Sequence, residues 1–281
     1  MTEKVLQPDH LNDFRNYLIR EEKSPATIKK YLRDAGTFIN YAEGKSITKE
    51  LTVAYKKSLQ NKNYAVRSVN SMLAALNTFL DFMGWGDCKV RTLRCQRQTY
   101  CAEENELTKA EYLRLLSASK SRGQINMVIQ TICGTGIRVS ELKHFTVEAV
   151  RQGTVVVQCK NKSRTILIPK TLKKMILSYA KKQKITTGPI FITKLGNPMD
   201  RSNIWTQMKQ LCETAKVKAS KVFQHNLRKL FARTFYSIEK DIAKLADILG
   251  HESIETTRIY IMTTGQEHRR KIDRLGLVQI E

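Results

Sequence analysis

The chain has 281 residues, 41% of them hydrophobic, and 49 Lys and Arg against 26 Asp and Glu, for a formal charge of +23. That length and apolar share suit one large or two ordinary globular domains and exclude a disordered chain. So large a positive excess repels itself in a compact fold unless a polyanion offsets it; nucleic acid, which releases counterions as its phosphates are neutralised, is the partner that such a surface suits.

The N-terminus, MTEKVLQPDH, has no apolar segment of the signal-peptide kind. No apolar run approaches the roughly 20 residues of a membrane span, so no membrane partner is expected. Leu11, Phe14, Leu18 and Ile19 mark a first amphipathic helix. Ser24 and Pro25 then stand as N-cap and first helical residue of a second. Ile28, Tyr31, Leu32, Ala35, Phe38, Ile39 and Ala42 follow at helical spacing, up to a stop at Gly44. A shorter helix is expected over about 48–60. A fourth carries Val66, Val69, Leu73, Leu76, Leu80 and Met83 and ends at Gly84 and Gly86. Residues 1–86 therefore read as a small four-helix domain with basic exposed faces.

Residues 87–106, DCKVRTLRCQRQTYCAEENE, break the periodicity and read as a linker. Thr108 and Glu111 have the spacing of a capping box and open a second domain, 107–281. INMVIQTICGTG is a buried helix ending in glycines. TVVVQ and RTILIP are β-rich runs on either side of CKNKS, which reads as a hairpin. Helices return around 170–182 and 200–215, then from 225 to the end. The expected fold is mainly α with a small β-sheet. The six cysteines (88, 95, 101, 133, 159 and 212) include no CxxC pair, which disfavours a disulfide framework or a zinc site and fits a reducing cytoplasm.

Several residues could carry chemistry. Arg138 follows a glycine turn in GTGIRVSEL, at the start of a short helix. Lys160 and Lys162 sit at the hairpin tip. His225 and Arg228 share one helix face in HNLRK. His251 and Tyr260 stand nine positions apart in LGHESIETTRIY. Each has an ordinary structural explanation: a helix-end arginine, an exposed lysine-rich turn, a chance H-x-x-R, a half-buried tyrosine. Together they make a kit for phosphoryl transfer. Arginine forks clamp non-bridging phosphate oxygens. A tyrosine can form a covalent phospho-intermediate. A lysine or histidine can protonate the leaving oxygen. With an ordinary pKa of about 10, a tyrosine needs cations or a base beside it to attack at pH 7.

In this order, Arg, Lys, His-x-x-Arg, His, Tyr, the chain resembles the tyrosine recombinases, the lambda-integrase family. TGIRVSEL, HNLRKLFART and LGHESIETTRIY carry the resemblance, which spans about 134–260. It implies a helical core-binding (SAM-like) domain followed by an α+β catalytic domain that ends in an exchange segment. It further implies Tyr260 as nucleophile on a DNA phosphate, leaving a 3′-phosphotyrosine and a free 5′-hydroxyl. Arg138 and Arg228 become the phosphate clamps, and His225 and His251 hydrogen-bonding or acid–base residues. The hairpin lysine becomes the general acid; the family's Lys-Gly-x-Lys-x-Arg pattern points to Lys160, counting from Arg138 to Lys162. No metal and no cofactor are implied. The implied partner is double-stranded DNA, bound at paired sites by a homotetramer in the bacterial cytoplasm, at the nucleoid, with an accessory excisionase if the protein integrates and excises a mobile element. Two positions depart from the pattern: Lys229 stands where many relatives have His, and polar Gln224 precedes His225.

Other readings are resolution of chromosome dimers by an Xer-type recombinase, a type IB topoisomerase, and a DNA-binding regulator without catalysis. A metal-dependent transposase needs clustered carboxylates, and the acids of EKDIAKLAD read as a solvated helix face.

Overall fold

The computed structural model describes residues 4–7, 9–94, 100–101, 104, 106–159 and 162–277. The chain divides into two compact units, residues 1–97 and 98–281.

The first unit holds α1 (His10–Arg20), α2 (Pro25–Ala42), α3 (Lys49–Asn61) and α4 (Val66–Phe82). Ser24 caps α2 through its hydroxyl, which accepts from the Thr27 N–H at 3.3 Å. The apolar stripes of the four helices meet in one core that includes Phe14, Leu18, Phe38, Leu73, Phe79 and Leu80. This body continues past Gly86. Cys88 and Val90 are buried in its core. The Asn77 and Asn70 side chains satisfy the backbones of Val90 and Leu93. Residues 87–93 thus pack on the first unit, although their charge suggests a linker. Half-buried Leu93 packs beside them, and Thr52 and Lys56 bond the carbonyls of Cys88 and Arg91, so the segment's backbone is satisfied by the first unit.

The second unit opens as the capping-box spacing requires. The Thr108 hydroxyl accepts from the Glu111 N–H, the Glu111 carboxylate from the Thr108 N–H, and α5 (Lys109–Ala118) follows. Next comes α6 (Gly123–Thr135), whose Ile125, Val128, Ile129 and Ile132 are fully buried. Then come α7 (Val147–Gln152) and an antiparallel hairpin of β1 (Thr154–Cys159) and β2 (Lys162–Leu167), with Val157 paired to Arg164 and Cys159 to Lys162. After α8 (Lys170–Lys182), α9 (Arg201–Lys209) stops short of the expected 215. Its continuation tightens into turns, with the Leu211 N–H bonded to the Met208 carbonyl. Four helices close the chain: α10 (Gln224–Ile238), α11 (Ile242–Leu249), α12 (Ile254–Ile261) and α13 (Gly265–Asp273).

The main core of this unit packs α6, α8 and the hairpin around Ile129, Ile176, Val157 and Phe145. A smaller cluster of Ala232, Leu245, Leu249 and Tyr260, flanked by Phe231 and Phe235, joins α10, α11 and α12. Gly136 lets α6 end against it. Its φ is +65°, and a Cβ there would lie 2.4 Å from the Phe231 ring. Gly136→Ala should cost about 1–2 kcal/mol for the left-handed backbone and about 1–3 kcal/mol for overpacking. The check is the urea midpoint, and an unchanged midpoint would contradict this close approach.

Candidate active site

Five of the expected residues meet at the junction of α6, α10, α11 and α12. Arg138 follows the Gly136 turn and caps the short 3-10 segment Val139–His144. Its Nη2 donates to the Gly250 carbonyl at 2.9 Å, and its Nη1 to Glu141 Oε1 at 3.2 Å. One third of the side chain stays exposed, which leaves it open to an anion.

Arg228 projects from the first turns of α10 and is buried. Its Nη1 donates to the Gly136 carbonyl at 2.5 Å and its Nη2 to the Leu249 carbonyl at 2.6 Å. These two carbonyls are helix C-terminal acceptors, at the ends of α6 and α11, where a cation is favoured. Burial, and then repulsion from Arg138, brings its pKa down to about 10. It therefore keeps its charge at pH 7.

His251 follows Gly250, whose left-handed φ of +62° ends α11. Its Nε2 lies 3.1 Å from Arg228 Nη2 and its Nδ1 2.8 Å from the Thr257 hydroxyl. Burial, then Arg228 and Arg138, lower its pKa to about 4, so the ring is neutral at pH 7. Arg228 can only donate, so Nε2 is the acceptor and Nδ1 carries the proton toward Thr257.

Tyr260 is largely buried on α12, its ring edge-on to both imidazoles, with centroids 4.8 Å from His225 and 4.7 Å from His251. The Arg228 guanidinium lies 5.9 Å from the centroid of the Tyr260 ring. Its hydroxyl is 3.3 Å from His225 Nδ1. His225 has its pKa lowered by burial first and then by Lys229 and Arg228. A neutral His225 can accept the phenol proton through Nδ1.

Lys160 lies outside the described residues. Lys162 begins β2, opposite Cys159.

Three residues that the sequence reading passes over complete the cluster. Glu141 is a buried carboxylate held by Arg138 and, at 2.6 Å, by Arg164 of β2. Its N–H-accepting contact with Arg138, at 2.7 Å, is that of an N3 carboxylate at a capping-box position. The signal was there: Glu three residues after the cap in RVSE. Thr257 is the second partner of His251. Three guanidiniums around a single carboxylate leave a surplus of positive charge, which suits a bound phosphate.

The two departures from the family pattern find partners. Gln224 Nε2 donates to the Arg201 carbonyl at 3.1 Å. Lys229 pairs with buried Glu106 at 2.8 Å, and Arg233 with the other oxygen of the same carboxylate at 3.1 Å. Among the described residues, no three His, Cys, Asp or Glu side chains gather into a metal-binding group. Cys88 lies in the first unit and Cys101 in the second. No helix among the described residues is long and apolar enough to cross a membrane.

Comparison with known proteins gives two family matches. Residues 105–267 match the phage integrase family, and residues 11–85 the N-terminal SAM-like domain of phage integrases. The tyrosine recombinase XerA of Pyrococcus furiosus is 28% identical over 99% of this chain and 98% of its own length. Among solved structures, the integrase of transposon Tn1549 bound to transposon right end DNA aligns with a TM-score of 0.70, at 16% identity, over 94% of this chain and 99% of that one. A lambda integrase tetramer on a Holliday junction aligns with a TM-score of 0.68, at 18% identity, over 92% of this chain and 78% of that one.

Proposed function

The chain belongs to the phage integrase family, and from that premise we propose that it is a site-specific tyrosine recombinase, which cuts and rejoins double-stranded DNA through a 3′-phosphotyrosine. The observation that carries the reading is the convergence of Arg228, His225 and His251 on Tyr260, with the phenol 3.3 Å from His225 and Arg138 bonded to the carbonyl of Gly250, beside His251. His225 takes the phenol proton and Tyr260 Oη attacks phosphorus. Arg138 and Arg228 stabilise the charge that develops on the non-bridging oxygens. The bond to the 5′-oxygen breaks, and the hairpin lysine, Lys160, protonates that oxygen. The free 5′-hydroxyl then attacks the phosphotyrosine of a partner strand, which releases Tyr260.

Residues 1–86 serve as the core-binding domain and 107–281 as the catalytic domain, with the exchange segment at its end. A homotetramer pairs two DNA sites in the bacterial cytoplasm, at the nucleoid. The lambda integrase tetramer supports this assembly. So do Leu275 and Leu277, which are 61% and 84% exposed near the C-terminus and are available to a neighbouring copy.

Two biological settings suit this chemistry. We favour integration and excision of a mobile element, with an accessory excisionase for the second direction. Resolution of chromosome dimers is the second reading, supported by the whole-length match to a protein named XerA. An excisionase gene or element ends beside the gene would decide for the first.

The chemistry is tested with nicked duplexes of randomised core sequence, in EDTA. A nick beside the scissile phosphate lets the short fragment with the free 5′-hydroxyl diffuse away and traps the intermediate. Covalent protein–DNA adduct is the expected result on the nicked duplexes, and strand exchange between two sites on intact ones. Plasmid relaxation without exchange would point to a topoisomerase. Binding without adduct would point to a regulator.

A further inference from the structure

We propose that Arg164 is a positioning residue that sets the lysine hairpin against the phosphate-binding arginines, and so governs protonation of the 5′-oxygen. The inference rests on the recombinase reading of the same site.

The hairpin has only two strands, and a two-stranded ribbon is marginally stable unless it packs on something. One of its faces does pack. Val155, Val157 and Ile166 enter the core, while Val156 and Leu167 face water. Beyond the Val157–Arg164 pair the ladder runs two further rungs, to Cys159 and Lys162. At the Val157–Arg164 rung the Arg164 side chain adds a polar hold to the apolar one.

Its guanidinium grips two elements that are far apart in sequence. Nη1 donates to the Ile248 carbonyl, in the last turn of α11, at 3.0 Å. Nη2 donates to Glu141 Oε2 at 2.6 Å. Glu141 in turn holds Arg138 through its other oxygen. The stem of the same side chain lies against Gly250, where a Cβ would come within 2.5 Å of Arg164 Cδ. Gly250 supplies the carbonyl that Arg138 binds, and His251 follows it. One half-buried side chain thus ties the hairpin to the first clamp and to the backbone that presents the second histidine. A planar fork can serve two acceptors at fixed directions; an ammonium cannot do so with the same geometry.

Arg164 could instead matter only through Glu141, as support for Arg138. The two roles differ in which step suffers. Formation of the Tyr260–phosphorus bond breaks the bond to the 5′-oxygen, which must gain a proton from the lysine. With sulfur in place of that bridging oxygen, the group leaves as a thiolate and takes no proton. A fault in proton delivery is then bypassed, whereas a fault in the clamp is not.

The experiment measures single-turnover cleavage of the ordinary and the 5′-thio duplex by wild type, Arg164→Gln, Arg164→Lys and Arg138→Ala. Lys160→Ala and Lys162→Ala set the size of a full rescue. On the ordinary substrate Arg164→Gln should lose about a hundredfold, the lower end of what a general acid contributes. On the 5′-thio substrate it should come within a few-fold of wild type, while Arg138→Ala stays slow on both. Should Arg164→Gln fail to fold, Arg164→Lys carries the test, since it keeps the charge beside Glu141 but not the double grip. Equal losses on the two substrates, or wild-type rates for Arg164→Lys on both, would overturn the proposal. If wild type forms no adduct on either duplex, the recombinase reading itself falls.

Discussion

Tyr260→Phe should bind DNA as wild type does and form no covalent adduct. The substitution removes one oxygen from a ring that otherwise keeps its place. The ring packs with Ala232, Leu245 and Leu249 and stands edge-on to two imidazoles, and phenylalanine preserves those contacts. The lost contact is the 3.3 Å one to His225 Nδ1, whose removal costs about 1 kcal/mol of stability. The fold therefore survives, and the effect falls on the chemistry alone. The check is adduct formation on nicked duplex beside a binding isotherm for the same protein. Adduct at the wild-type level would take the nucleophile away from Tyr260, and a large fall in affinity would mean that the phenol serves binding instead.

Arg228→Ala should be the most damaging single change, because it strikes stability and catalysis together. Its guanidinium donates to the Gly136 and Leu249 carbonyls and lies beside His251. Truncation leaves those buried acceptors unpaired, at about 1–3 kcal/mol each. It also removes a donor aimed at the transition-state charge, which is worth about 3 kcal/mol, or roughly 150-fold in rate. Arg138→Ala should lose as much in cleavage but less in stability, since its side chain is one third exposed and water can replace it at the Gly250 carbonyl. Urea unfolding and single-turnover cleavage, measured on both variants, separate the two effects. Equal stability losses would contradict the difference in burial, and a cleavage loss no larger than the loss in affinity would contradict the clamp role. Binding itself should fall little in either case, because many other Lys and Arg residues hold the backbone of the duplex.

Of the five expected residues that the fold brings together, four sit at local punctuation marks. Arg138 follows a glycine turn, His251 follows the left-handed Gly250, and His225 and Arg228 share the first turns of α10. Helix ends can be read from sequence, and this site is built from helix ends. The helices of the first unit were legible for a related reason: Ser24–Pro25 fixes where α2 starts, and its apolar spacing fixes which face is buried. What escaped was long-range pairing. Arg164 falls at the last position of the hairpin's Lys-Gly-x-Lys-x-Arg pattern, but only the fold sets it beside Glu141 and Ile248. Thr257 is one of two adjacent threonines, of which the fold selects one for His251. The packing of Cys88 and Val90 escaped because their charged neighbours dominate the composition of that segment. Gln224 and Lys229, which depart from the family pattern, find partners in the Arg201 carbonyl and Glu106, residues that no local pattern links to them.

The most direct measurement of the account is the identity of the bond itself. Wild-type protein trapped on a nicked duplex is digested with protease and nuclease, and the peptide–nucleotide conjugate is sequenced by mass spectrometry. The account predicts a single conjugate, on the peptide that contains Tyr260, joined through the 3′-phosphate, with a free 5′-hydroxyl on the released strand. A conjugate on any other residue, or a 5′-phosphate linkage at Tyr260, would contradict it.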